Sequence, residues 1–177
     1  NGFSCGQHGF WGKGNGTYPP NMYENSVKVP FVISQPGAIE QGVVQREMVS
    51  AYDFMPTLLD YAGLPLPTGR NLPGQSFAPL LRGEGLGRDE VVVYDEYGGT
   101  RMLRTREWKY VHRYPDGPCE LYDLVNDPDE RVNRADDASQ VERIGALRDQ
   151  LEEWFARYVV PERDGCLLYT SDAADDA

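Results

Sequence analysis

Four short β-rich runs between residues 91 and 124 constrain this chain most. They are VVVYDEY (Val91–Tyr97), TRMLRT (Thr100–Thr105), WKYVHRY (Trp108–Tyr114) and ELYDL (Glu120–Leu124). β-Branched and aromatic residues, which fit a pleated surface, dominate them. The connections hold Gly98-Gly99, Arg106-Glu107 and Asp116-Gly117-Pro118. Parallel pairing would need a long crossover, so turns this short favour antiparallel hairpins. After the turn-like DPDERVN, a helix is expected from Ser139 to Tyr158. Ser139 and Glu142 form a capping box in sequence. Ile144, Leu147, Leu151, Trp154 and Tyr158 recur at steps of three and four, giving one apolar face, and Pro161 ends the helix. A small four-stranded antiparallel sheet with one helix across it follows.

The upstream part has another texture. Residues 1–26 are rich in glycine, lack periodicity and read as loop. Val27–Ser34 (VKVPFVIS) reads as a buried strand closed by the turn Gln35-Pro36-Gly37. Pro30 lacks an N–H and implies an edge or a bulge. Ser50–Pro65 reads as a short helix, capped by Ser50 or Asp53, with Pro56 in its first turn and Gly63 at its end. Phe54, Leu58, Leu59 and Ala62 share one of its faces. Ser76–Leu81 holds a helical turn. The change of texture divides the chain into a loop-rich part over 1–85, with one strand and short helices, and an antiparallel α+β subdomain over 86–165.

Composition removes some classes of function. The chain carries 28 acidic and 17 basic residues and a net charge of −11. Phosphate binding needs clustered Lys and Arg, so nucleic acid is not an expected partner. No apolar run approaches the roughly 18–20 residues of a membrane span. Of three cysteines, Cys166 belongs to the segment Cys166–Ala177, which resembles the translated end of a sequencing adapter and is set aside as non-native. Cys5 and Cys119 remain, and two cysteines make no disulfide framework. Both ends suggest a piece cut from a longer gene.

The stretch GQHGFWGKG carries the chemistry. It sets the imidazole of His8 five residues before the ammonium of Lys13, with glycine beside each. Glycine lets main chain approach a ligand closely, and two such groups on one loop suit an anion. Taken singly, a surface lysine and a structural histidine are the commoner readings. The side-chain oxygen of Asn1 is a donor that suits a hard cation. His112, in WKYVHRY, reads as structural, and Trp11 is expected to pack beneath the loop.

Here the sequence resembles the C-terminal third of the sulfatase family, in the alkaline-phosphatase-like superfamily. GQHGFWGK matches the family's G-x-H-G-x-W-x-K. YENSVKVPFVISQPG matches its Y-E-x-S-V-x-V-P-x-x-x-x-x-P-G. DFMPTLLDYAGLP, GQSFAPLLRG, RTREWKYVHRY and ELYDLVNDPDERVN follow in the family's order, so the resemblance covers about residues 1–160. It implies an α/β fold, the C-terminal part of an alkaline-phosphatase-like sulfatase with the antiparallel subdomain described above. It also implies a sulfuric ester hydrolase as parent. Lys13 and His8 would both bind the substrate and act in catalysis, Lys13 by contacting the sulfate oxygens or the bridging oxygen and His8 from beside it. Asn1 would be the last protein ligand of Ca²⁺ or Mg²⁺. Arg101 would reach substrate from the subdomain.

The departures from the family are specific. Its nucleophile is a formylglycine made within a C/S-x-P-x-R motif, which this chain lacks; Cys5 is followed by Gly-Gln-His. The aspartate that precedes Asn1 in the family, and the other metal-binding aspartates, are not in this stretch either. The chain alone is therefore expected to be inactive. The expected substrate is a sulfate monoester, a small molecule or a sulfated glycan. A phosphate or phosphonate ester hydrolase of the same superfamily and a non-catalytic binding module are the alternatives. The compartment is left open, with a periplasmic or extracellular parent in view because many bacterial relatives are exported.

Overall fold

The computed structural model describes residues 2–85, 87–95, 99–114 and 117–164. Asn1 and the segment 166–177 lie outside the described residues. In chain order the elements are β1 (Ser4–Cys5), β2 (Trp11–Gly12), α1 (Glu24–Val27), α2 (Phe54–Tyr61), α3 (Ala78–Leu81), β3 (Glu90–Tyr94), β4 (Thr100–Thr105), β5 (Trp108–Arg113), β6 (Glu120–Asp123) and α4 (Val141–Tyr158). They fall into two compact units: residues 2–30 with 92–164, and residues 31–91.

In the first unit the sheet runs β3-β4-β5-β6. β4 pairs antiparallel with β5, setting Met102 against Val111 and Leu103 against Tyr110. β5 pairs antiparallel with β6, setting Tyr110 against Leu121 and Lys109 against Tyr122. Side chains alternate across a strand, and here both faces are covered. On one face Val92, Leu103, Tyr110 and Leu121 pack with Leu147, Leu151 and Phe155 of α4. On the other, Met102 and Val111 pack with Met22, and Val27 and Val93 lie against them. Burial on both faces explains why TRMLRT and WKYVHR lack a clean apolar–polar alternation.

α4 forms where its apolar period places it, but its start differs from the expected capping box. A 3₁₀ turn (Ala138–Gln140) precedes it, and the Asp137 side chain accepts from the backbone N–H of Ser139. Ser139 also donates its hydroxyl to Asp137 Oδ1 at 2.7 Å, so it serves the cap and does not form it. Phe155, not Tyr158, completes the buried face with Leu147 and Leu151.

The second unit, described by itself, is organised around a polar centre. Ser50 and Asp53 form a reciprocal capping box around a 3₁₀ turn (Ala51–Asp53) that leads into α2. The Asp53 carboxylate, 1% exposed, accepts from Ser50 N–H, Gln75 N–H and Arg88 Nε at 2.8, 2.8 and 2.7 Å. Arg88 Nη2 adds a contact of 2.5 Å. Gly74 is required beside it, because a Cβ there would stand 2.1 Å from the carbonyl oxygen of Tyr52. Gly63, at φ 68°, closes α2 as expected.

Two expectations are corrected. The face of α2 that is buried carries Pro56 and Thr57, while Phe54 and Leu58 are about half exposed (50% and 54%). Thr57 is drawn inward because its hydroxyl donates to Asp53 O at 2.6 Å and accepts from Phe77 N–H at 2.9 Å. Residues 28–34 form no strand, and Val29, Phe31 and Val32 are exposed. A strand exists only through its ladder, and neither sheet among the described residues pairs with this segment.

Candidate active site

β1 and β2 are a two-residue antiparallel pair, Ser4 opposite Gly12 and Cys5 opposite Trp11. The turn between them carries His8. It is closed by Gly6 N–H donating to Phe10 O at 2.9 Å and Phe10 N–H donating to Gln7 O at 3.0 Å. Gly6 and Gly9 have φ of 100° and 74°, and His8 itself has φ 53°, an uncommon value for a residue with a side chain. The flanking glycines in GQHG are thus conformational requirements. The His8 ring is exposed on one side and lies flat on the Tyr23 ring, centroids 3.6 Å apart and planes within 3°.

Lys13 leaves β2 in an extended conformation and begins a 3₁₀ turn (Gly14–Gly16). Gly14 then runs beside Asn21, whose N–H donates to Gly14 O at 2.9 Å. A Cβ on Gly14 would stand 2.6 Å from Asn21 O, so only glycine fits there. Asn21 is buried and ties the loop together. Its Oδ1 accepts from the Ser26 hydroxyl at 2.7 Å, and its Nδ2 donates to Thr17 Oγ1 at 2.9 Å. The exposed Lys13 side chain lines an open cleft of about 300 Å³ with Asn21, Ser26, Tyr94 and Asp95. His8 stands outside that lining. The structure therefore holds Lys13 and His8 on one braced loop but brings only Lys13 to the cleft.

Arg101, expected to contact substrate, is held within the sheet unit. Its Nη2 contacts both carboxylate oxygens of Asp164, at 3.0 and 2.9 Å. The guanidinium lies over the rings of Phe155 and Tyr114, 3.9 and 4.4 Å from their centroids. At 7% exposure it is a packing and ion-pair residue of the sheet unit. Trp11 is corrected: it is 75% exposed and meets Phe3 edge to face instead of packing beneath the loop. His112 is buried, with Nδ1 2.9 Å from the Tyr110 hydroxyl and 3.5 Å from Cys119 Sγ. Burial, with Cys119 as hydrogen-bond partner, pushes the Tyr110 phenol above its ordinary range.

A divalent cation of the Ca²⁺ type takes several oxygen ligands. The described residues hold no group of three or more His, Cys, Asp or Glu side chains placed for a metal, so they do not by themselves supply that set. Asn1, the expected ligand, lies outside them.

Sequence reasoning missed the buried charges behind the loop. Lys109 Nζ meets Glu24 Oε1 and Glu130 Oε1 at 2.9 and 2.6 Å and donates to Met22 O at 2.8 Å. The signal present in WKYVHR was a lysine on the same strand face as Val111. A lysine there is either solvated or paired, and only its long-range partners decide which.

An exposed lysine on a glycine-braced loop beside a cleft, joined to an antiparallel sheet with one helix, defines an α/β module with a candidate site at that loop. Residues 6–157 match the family model for the C-terminal part of N-sulphoglucosamine sulphohydrolase. The chain belongs to the sulfatase family and corresponds to its C-terminal region. Human arylsulfatase K is 39% identical over 67% of this chain and 24% of its own length. The N-acetylglucosamine-6-O-sulfatase of Bacteroides thetaiotaomicron is 31% identical over 97% of this chain and 32% of its own. The solved structure of BT4656 with its substrate D-glucosamine-2-N,6-O-disulfate superposes with a TM-score of 0.73 at 31% identity, covering 88% of this chain and 32% of that one. The phosphonate monoester hydrolase of Agrobacterium radiobacter superposes with a TM-score of 0.51 at 29% identity, over 62% and 25%. The fold is that of the alkaline-phosphatase-like sulfatases. The chain spans about a quarter to a third of the length of these relatives.

Proposed function

We propose that the chain is the C-terminal part of an enzyme that hydrolyses sulfate monoesters of sulfated sugars to alcohol and sulfate. The likeness to a sulfatase solved with a disulfated glucosamine supports that substrate class. The carrying observation within the chain is Lys13, exposed at the mouth of a cleft on a loop that only glycines allow. As the S–O bond breaks, negative charge grows on the leaving oxygen, and a fixed ammonium there lowers the barrier. His8, on the same loop, faces solvent and is placed near the substrate in this reading. In this reading residues 1–85 continue the α/β core and residues 86–165 form the C-terminal subdomain. The complete enzyme would carry a Ca²⁺ or Mg²⁺ ion, with Asn1 among its ligands, and a formylglycine nucleophile in its N-terminal part. The ion polarises sulfuryl oxygens when bound.

The test is hydrolysis of sulfated glucosamine by the complete enzyme. Lys13→Ala should lower kcat by about 10²–10³-fold, as loss of one charge-stabilising donor does. The 177-residue chain by itself should show no turnover. Full inactivity of the complete enzyme on sulfate esters after confirmed formylglycine conversion overturns the reading. A higher rate on a matched phosphonate ester would favour the second reading, which rests on the likeness to the phosphonate monoester hydrolase.

A further inference from the structure

Residues 22–24 are clamped by buried charges. Arg104 and Lys109 stand opposite each other in the β4–β5 register, where two cations repel. Glu24 answers both. Its carboxylate accepts from Arg104 Nε and Nη2 at 3.0 and 3.3 Å and meets Lys109 Nζ at 2.9 Å. Glu130 balances the second charge with Oε1, and its Oε2 accepts the Glu24 N–H at 2.7 Å. Glu130 holds φ 55° to do so, a conformation that surrounding contacts must impose. Lys109 also holds Met22 O. The backbone is therefore pinned on both sides of residue 23.

Tyr23 is the product of this clamp. Its carbonyl accepts from the N–H groups of Ser26 and Val27 at 2.8 and 3.0 Å. Its ring leans on that of Tyr122, centroids 5.8 Å apart, with the two hydroxyls 3.4 Å apart. Burial pushes the phenol above its ordinary value, so it stays neutral. His8 is the reverse: exposed, on a turn, with a left-handed backbone. The flat 3.6 Å stack on Tyr23 joins that exposed turn to the clamped segment of the sheet unit.

We propose that Tyr23 is a positioning residue for His8, a rigid ring platform that fixes the imidazole plane so that its edge nitrogens point to a constant place beside the Lys13 loop. The clamp Lys109–Glu24–Glu130 is what keeps the platform still. This rests on reading His8 as a group near substrate, but the stack itself is testable without turnover.

His8 and His112 are the only histidines of the chain, so their ring protons separate readily in a proton spectrum. In the chain as it stands, His8 ring protons should show cross-relaxation to Tyr23 ring protons and an upfield ring-current shift. Tyr23→Leu should abolish both, and Tyr23→Phe should retain both, because it keeps the ring and drops only the hydroxyl. His112, buried in the sheet, reports whether each variant keeps the fold. Absence of both signals in the unsubstituted chain overturns the proposal. So does a Tyr23→Leu chain with His112 undisturbed and His8 shifts unchanged, or a folded Tyr23→Phe chain that loses the stack. If Tyr23→Leu disturbs His112, the unsubstituted and Tyr23→Phe spectra decide. An inactive complete enzyme would overturn the sulfatase reading while leaving these spectra as they are.

Discussion

Glu24 shows how much a single side chain carries here. Burial raises its carboxyl pKa, but Lys109 and Arg104 outweigh that and hold it below the ordinary glutamate value of 4.5. A depressed folded pKa stabilises the fold above the unfolded pKa, and that stability is lost as pH falls through the folded value. The urea midpoint of the sheet unit should therefore drop as pH falls below about 4.5, and Glu24→Gln should flatten that drop while lowering stability at neutral pH. At this scale the sequence shows which residues can do chemistry. GQHGFWGKG displays His8, Lys13 and their glycines openly. It does not display the partners of Arg101, Lys109 or Asp53, because Asp164, Glu130 and Arg88 stand 63, 21 and 35 positions away.

Among the elements, those with strong local periodicity form where the sequence places them. The runs in 91–124 become β3 to β6, and the 3.6-residue period of 141–158 becomes α4. Leu151, fully buried between α4 and the sheet, is its central contact. Leu151→Ala should cost about 2–5 kcal/mol by leaving a cavity, read as a lower denaturant midpoint with unchanged slope. Short elements follow the pattern less well. α2 has eight residues, and its inward face is set by the hydroxyl of Thr57 and the carboxylate of Asp53 instead of by Phe54 and Leu58. Val27–Ser34 has the composition of a strand, but strands are made by neighbours and composition supplies none.

For the molecule as a whole, the exposed apolar surface is the property to measure. Within residues 31–91, Phe31, Val32, Val44, Phe54, Leu58 and Leu64 are all about half exposed or more. Patches of this kind on a soluble chain promote association. The chain by itself should bind a hydrophobic dye such as ANS. Absence of dye binding would contradict this expectation.

What the sequence determined alone was whatever depends on neighbours a few residues away: the hairpin strands, the amphipathic α4 and the glycine-bounded His8–Lys13 loop with its family likeness. Each of these follows from local backbone preference or a short apolar period. The tertiary structure decided the rest. It set which buried charges neutralise each other, placed Arg101 between Asp164 and Phe155, and put Tyr23 under His8. A buried charge is tolerated only with an opposite charge or hydrogen bonds beside it, and those partners come from distant parts of the chain that only folding brings together.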